Sequence, residues 1–202
     1  MSLAQMLLCS VRMTAATTLL LGIAYPLAIT AVSQTLFPAN ANGQLVERGG
    51  ALIGSRLIGQ GFSAPRYFHS RPSATTVPYD AANSGGSQLG PTNQALIRAV
   101  KARVATARQD RPGRAVPIDL VTTSASGFDP HLSPAAVEFQ VSRVAHARGV
   151  DEARIRALVA EHTEGRQLGF LGEPRINVFA LNLALDDRLW SGVTPPDVSR
   201  HD

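Results

Sequence analysis

From Thr14 to Phe37 the chain reads TAATTLLLGIAYPLAITAVSQTLF, with Arg12 the last charge before it and Glu47 the first after it. A stretch of 24 residues with so little to offer water has few structures open to it. As a helix rising about 1.5 Å per residue it is about 36 Å long, enough to cross a hydrocarbon core of about 30 Å with some tilt. The sequence therefore predicts one transmembrane helix over residues 13–37, preceded by a cytoplasmic N-terminus at 1–12. A cleaved signal peptide is the competing reading, because Ala39-Asn40-Ala41 has the small-x-small form of a cleavage site. Against it, the apolar run exceeds the 7 to 15 residues of a signal core and contains Pro26.

The span contains no Asp, Glu, Lys, Arg or His, so it carries neither a proton relay nor a charged ion site. Its small residues Gly22, Ala24, Ala28 and Ala31, with Thr17, Thr18, Thr30 and Ser33, suit close approach by other helices in lipid. Pro26 removes one backbone hydrogen bond, which a neighbouring helix can tolerate or exploit. Cys9, the only cysteine, reads as an apolar residue beside Leu7 and Leu8. Arg12 and the α-amino group favour a cytoplasmic N-terminus, which puts the tail outside the inner membrane.

Residues 38–50 (PANANGQLVERGG) read as a juxtamembrane linker, 51–190 as one soluble domain and 191–202 as a flexible tail. The expected fold class is thus a single N-terminal transmembrane helix plus one α+β (mixed α/β) extracytoplasmic domain. Past the span, basic and acidic residues are dispersed with no long basic run, so nucleic acid is not an expected partner. A single cysteine permits no intrachain disulfide and no thiolate metal cluster.

Residues 52–62 (LIGSRLIGQGF) are two apolar bursts split by glycine, expected as short strands with a turn. Residues 65–78 form a loop around Tyr67, Phe68, His69 and Arg71. A helix is expected from about Asn93 to Arg108, where Leu96, Ile97, Val100 and Val104 fall at helical spacing. Val116–Thr123 reads as a strand by its β-branched content. Ser133 as N-cap with Pro134 behind it starts a helix that Gly149 ends, and Asp151 caps another carrying Ile155, Leu158, Val159 and His162. After the glycine-punctuated 167–174, residues 176–185 (INVFALNLAL) are expected to be the strongest strand, covered on both faces.

The unusual stretch is Tyr79–Thr92 (YDAANSGGSQLGPT). A glycine-rich loop opening a helix can cradle an anion on free N–H groups, or can simply be a turn needing positive φ. It is neither GxxxxGK[ST] nor GxGxxG. The five histidines never fall at the i, i+4 spacing of metal sites on one helix, and Ser124 or Ser126 with Asp129 and His131 lacks a GxSxG elbow. Gln140, about two turns into its helix, could face a ligand, a partner or water.

The order FHSRPSA, YDAANSGGSQLGPTNQ, DLVTTSASGFDPHLSPAAVEFQVSRVAHARG and LVAEHTEGRQLGFLGEPRINVFALNLAL resembles the C chain of the Kdp-type bacterial potassium-transporting P-type ATPase. The resemblance covers nearly the whole chain, including the single span. It implies an accessory, non-catalytic subunit beside a channel-like chain that conducts potassium, an ATPase chain that hydrolyses ATP, and a small additional membrane subunit. It also implies a catalytic chaperone that raises the ATPase chain's affinity for ATP through a ternary complex, with no tightly bound cofactor. In that picture Ser84-Gly85-Gly86-Ser87-Gln88, loosely like the SGGQ signature of ABC transporters, and Gln140 are candidate ATP contacts. Gly22, Ala24, Pro26, Ala28 and Ala31 would pack against the partner helices. The loops carrying Phe68, Arg71, Asn83, Asn93, Asp129 and His131 would be partner contacts. The alternative is a ligand-binding or sensor domain on a membrane anchor without an ATPase partner.

Overall fold

A computed structural model describes residues 2–189, so the tail expected at 191–202 lies outside the described residues. The chain divides into two compact units, the first ending at Leu45 and the second beginning at Val46.

In the first unit a continuous helix runs Leu3–Leu36 with none of its residues buried. It comprises α1 (Leu3–Thr17), a π-helical segment (Thr18–Ala24) and α2 (Tyr25–Leu36). The helix starts earlier than residue 13 because Ser2 and Gln5 form a capping box, each side chain bonding the other's backbone N–H. The π segment lies directly before Pro26. Proline has no N–H to give and its ring crowds the carbonyl four residues back. Widening the turns, so that the Tyr25 N–H reaches the Leu20 carbonyl, absorbs that conflict within the helix.

Residues 38–50, expected as a linker, carry local structure. Pro38–Ala41 forms a helical turn (α3), and Gln34 and Asn42 exchange two amide hydrogen bonds of 3.2 Å. Leu45–Arg48 (β1) then pairs with Ala51–Ser55 (β2) across Gly49 and Gly50, whose φ values of 60° and 78° suit a tight two-residue turn. The expected partner burst, Leu57-Ile58, is outside the sheet.

The second unit is built around three helices: α5 (Pro134–Arg148), α6 (Glu152–Glu161) and α7 (Val178–Arg188). A small antiparallel sheet in the order β3-β5-β4 (His131–Leu132, Arg175–Asn177, Thr163–Glu164) ties their ends together. The core comprises Phe68, Leu132, Val137, Val141, Val144, Ile155, Ile176, Leu181 and Leu185, among others. Ser133 and Asp151 cap α5 and α6 as expected, and Gly149 ends α5 with φ 65°. The helix expected near Asn93 is α4 (Gln94–Asp110), with the Asn93 side chain accepting from the Ala95 N–H.

One expected strand is absent among the described residues and another is cut short. Val116–Thr123 holds only a 3-10 turn at Ile118–Leu120, because Pro117 cannot donate to a ladder and Ile118, at 70 % exposure, has no face to share with buried Val121. Ile176–Leu185 extends as strand only to Asn177 and then becomes α7. The Asn177 side chain accepts from the Ala180 N–H, an N-cap, and Val178, Leu181, Asn182 and Leu185 then fall on one buried helical stripe.

That stripe includes a polar residue, Asn182, at 1 % exposure. Its amide accepts from the Phe68 N–H and donates to the Phe68 carbonyl, both at 2.9 Å. Asn182→Ala strands both backbone groups in the core and should cost about 3 kcal/mol, read as a lower midpoint in guanidinium unfolding of the second unit's signal.

Candidate functional site

The loop 65–70 runs through the interior instead of over the surface. Phe68 is fully buried and Tyr67 and Ser70 are nearly so. An irregular segment inside a protein must find partners for its backbone polar groups. Here helices α5 and α7 supply them from side chains. Arg148 donates to the Arg66 carbonyl at 2.8 Å, Arg143 to the carbonyls of Pro65 and Tyr67 at 2.6 and 3.1 Å, and Asn182 brackets Phe68. Gln140 brackets the next residue, accepting from the His69 N–H at 2.9 Å and donating to the His69 carbonyl at 3.1 Å.

Two expected surface roles are thereby corrected. Phe68 faces the core, not a partner, and Gln140, 4 % exposed, has its amide committed to His69. Arg148 also pairs with Asp186 at 2.8 Å, both side chains almost wholly buried, and the Tyr67 hydroxyl donates to the same carboxylate at 2.9 Å. Burial, with the bond to Asp186, raises the Tyr67 phenol above its usual 10.0. None of Arg143, Arg148, Asn182 or Asp186 stood out in the sequence. The signal was there for Asn182, which sits one turn from Val178 and from Asp186.

The segment leads into a cluster of loops. Arg71 donates to Asp129 at 3.2 Å and to the Thr122 hydroxyl and Thr123 carbonyl at 3.4 Å. Asp129 also accepts from the His131 N–H at 3.0 Å. Burial alone would raise the Asp129 carboxyl, but the bonds from His131 and the Arg71 guanidinium win and hold it below its usual 3.8. Arg71, Asp129 and His131 thus meet, and all three keep partial exposure. Tyr79, at a left-handed φ of 62°, donates its hydroxyl to the Arg71 carbonyl at 2.6 Å, and burial pushes its phenol up to about 12.

The glycine-rich loop packs on this cluster. The Ser84 hydroxyl and the Gly85 N–H both reach the Ser126 carbonyl, at 3.2 and 3.0 Å. A Cβ at Gly86 would come within 3.1 Å of the Ala125 carbonyl, and one at Gly127 (φ 82°) within 2.9 Å of the Gly85 carbonyl. These glycines allow two loops to touch backbone to backbone. Gln88, with φ 53°, is exposed, and Ser87 is partly buried. Asn83 donates to Asp80, and Asn93 serves as the cap of α4.

Between α4 and α5 lies a cavity of about 380 Å³, lined by His69, Ser70, Arg103, Phe139, Gln140 and Arg143 among others. Burial first, then the nearby Arg143 charge, lowers the His69 imidazole below its usual 6.5. Among the described residues, no three His, Cys, Asp or Glu side chains gather as metal ligands.

Residues 7–187 match the family model described as KdpC: K+-transporting ATPase, c chain. The chain belongs to the KdpC family. It is 58% identical over 180 residues to a potassium-transporting ATPase KdpC subunit of Koribacter versatilis, covering 89% of this chain and 93% of that protein. It is also 58% identical over 176 residues to the KdpC subunit of Rhodospirillum rubrum, covering 86% and 91%, and 57% identical over 184 residues to that of Methylobacterium nodulans, covering 85% and 92%. Family membership makes this chain a subunit of a potassium-transporting ATPase, which replaces the alternative of a sensor domain without an ATPase partner. The KdpC match takes in most of the apolar helix, the buried loop segment, α5 and α6, and α7 up to residue 187.

The two titrating groups give a signed prediction. Each has a folded value below its unfolded one, so the unfolded chain binds the extra proton and stability rises with pH through each window. For His69 the contribution is present above about 6.5 and is lost as pH falls through the folded value; for Asp129 the same happens below 3.8. Unfolding midpoints should therefore fall between pH 8 and 5, and His69→Gln, which keeps a donor for the Ala64 carbonyl, should flatten that slope. Arg148→Met leaves Asp186 buried without its cation and should cost about 3 kcal/mol in the same assay.

Proposed function

We propose that this chain is a non-catalytic, single-pass subunit of the inner membrane that holds together the channel-like and ATP-hydrolysing chains of an ATP-driven potassium uptake complex. One observation carries the reading: the Leu3–Leu36 helix keeps its entire surface available to lipid and to neighbouring helices, with no charge after Arg12. A helix of that kind has no chemistry of its own and gains only by packing. Gly22, Ala24, Pro26, Ala28 and Ala31 form its contact positions, and the π segment before Pro26 offers carbonyls displaced from the regular ladder to a polar neighbour. A small additional membrane subunit shares this packing.

The N-terminus lies in the cytoplasm and the second unit outside, stabilising the assembly near the ion's entrance. The gain in ATP affinity that the family resemblance implies is exerted through the ATPase chain, and not by nucleotide held on Ser84–Gln88 or Gln140. Supporting this, the Gly85 N–H and the Gln140 amide already have partners within the chain. No cofactor is bound tightly, and ATP acts at the ATPase chain within the ternary complex.

Gly22→Leu with Ala24→Leu should reduce co-purification of this chain with the detergent-solubilised complex by at least fivefold. A Cβ at Gly22 meets only its own Thr18 methyl at 3.7 Å, so the helix itself tolerates the change. Retention at the wild-type level contradicts the packing role. An impermeant maleimide should label Arg114→Cys, with Cys9 replaced by Ser, in cells whose outer membrane is permeabilised; labelling only after rupture of the inner membrane reverses the topology.

A further inference from the structure

The loop joining β4 to β5 is built to present an apolar tip. Gln167 and Leu171 exchange two backbone hydrogen bonds of 2.9 Å, and the Gly169 and Phe170 N–H groups bond back to Arg166 and Gln167 at 3.2 Å. The turn is closed by its own backbone. Yet its side chains point away from the chain: Leu168 is 82 % exposed and Phe170 68 %, with Leu171 at 48 %. Leu168 also sits at φ 53°, a left-handed conformation in which a bulky residue is costly and Asn or Gly is not. A large apolar side chain held in a strained backbone and in water contributes nothing to this fold. Cost without return marks a residue used by something else.

The rim says what that something is. The four charges on the stem are Glu164, Arg166, Glu173 and Arg175, and they are consumed in pairs: Arg166 with both oxygens of Glu173 at 2.7–2.8 Å, and Arg175 with Glu164 at 2.9 Å. An anionic lipid surface recruits unpaired Lys and Arg. A neutral rim around Leu and Phe instead matches an uncharged, apolar pocket on a protein, where one aromatic and one aliphatic anchor supply most of the binding energy.

We infer that the 167–171 turn docks into an apolar pocket on another protein chain of the same transport complex, with Leu168 and Phe170 as anchors. The inference rests on the subunit reading above and adds to it a specific contact outside the apolar helix.

The test uses the full chain in the detergent-solubilised complex, purified through a tag on the ATPase chain. With p-benzoylphenylalanine at Phe170, ultraviolet light should give a covalent product with another protein chain; adducts to lipid alone, or none, overturn the proposal. Leu168→Asn should weaken re-association of the purified chain about tenfold while its unfolding temperature stays level or rises, since Asn accepts positive φ. Undiminished re-association overturns it. A wild-type chain that never co-purifies sinks the subunit reading, whereas wild type and Leu168→Asn co-purifying and re-associating equally sinks the docking turn alone.

Discussion

The fold of the second unit depends on one arrangement: a strand-less segment, Arg66 to His69, whose backbone is hydrogen-bonded by side chains of two helices. A sheet would satisfy such a segment with another backbone. Here the sheet is too small, with strands of two and three residues, and the amides of Asn182 and Gln140 take its place. Each amide offers one donor and one acceptor to a single residue, copying the exchange a paired strand would make. The buried Arg148–Asp186 pair anchors one end of the segment through the Arg66 carbonyl, and Arg143 holds the carbonyls on either side of it, those of Pro65 and Tyr67.

The arrangement fixes register. Phe68 can occupy the core only when Asn182 meets it and Gln140 meets His69, so α5 and α7 are locked to the same four residues. The loops downstream of the segment inherit that position. Arg71, three residues beyond Phe68, reaches Asp129 and the carbonyl of Thr123, and through Tyr79 the glycine loop is brought against Ser126. These loops are therefore placed by the core.

Much of this was legible in the residues. The apolar helix follows from a long uncharged run, and α5 and α6 from Ser133, Pro134, Gly149 and Asp151, each a local signal acting within one turn. What failed was what depends on distance. Ile176–Leu185 reads as a strand from the residues alone because a short apolar run fits either period, and only the capping by Asn177 and the burial of Asn182 decide for helix. Gln140 and Phe68 were misplaced on the surface because the bonds that bury them join residues 71 and 114 positions apart. No local pattern announces such a pair. Residues 116–123 looked like a strand by composition, but a strand needs a neighbour, and Pro117 withholds the donor that would recruit one.

If the Phe68 segment is core rather than loop, its amides open only when the unit unfolds. Native-state hydrogen exchange on the purified chain measures this directly. The Phe68 and His69 amides should exchange with the same opening free energy as those of Val141 and Val144 in α5. Exchange of Phe68 and His69 at the rate of an exposed loop, while α5 stays protected, contradicts the account.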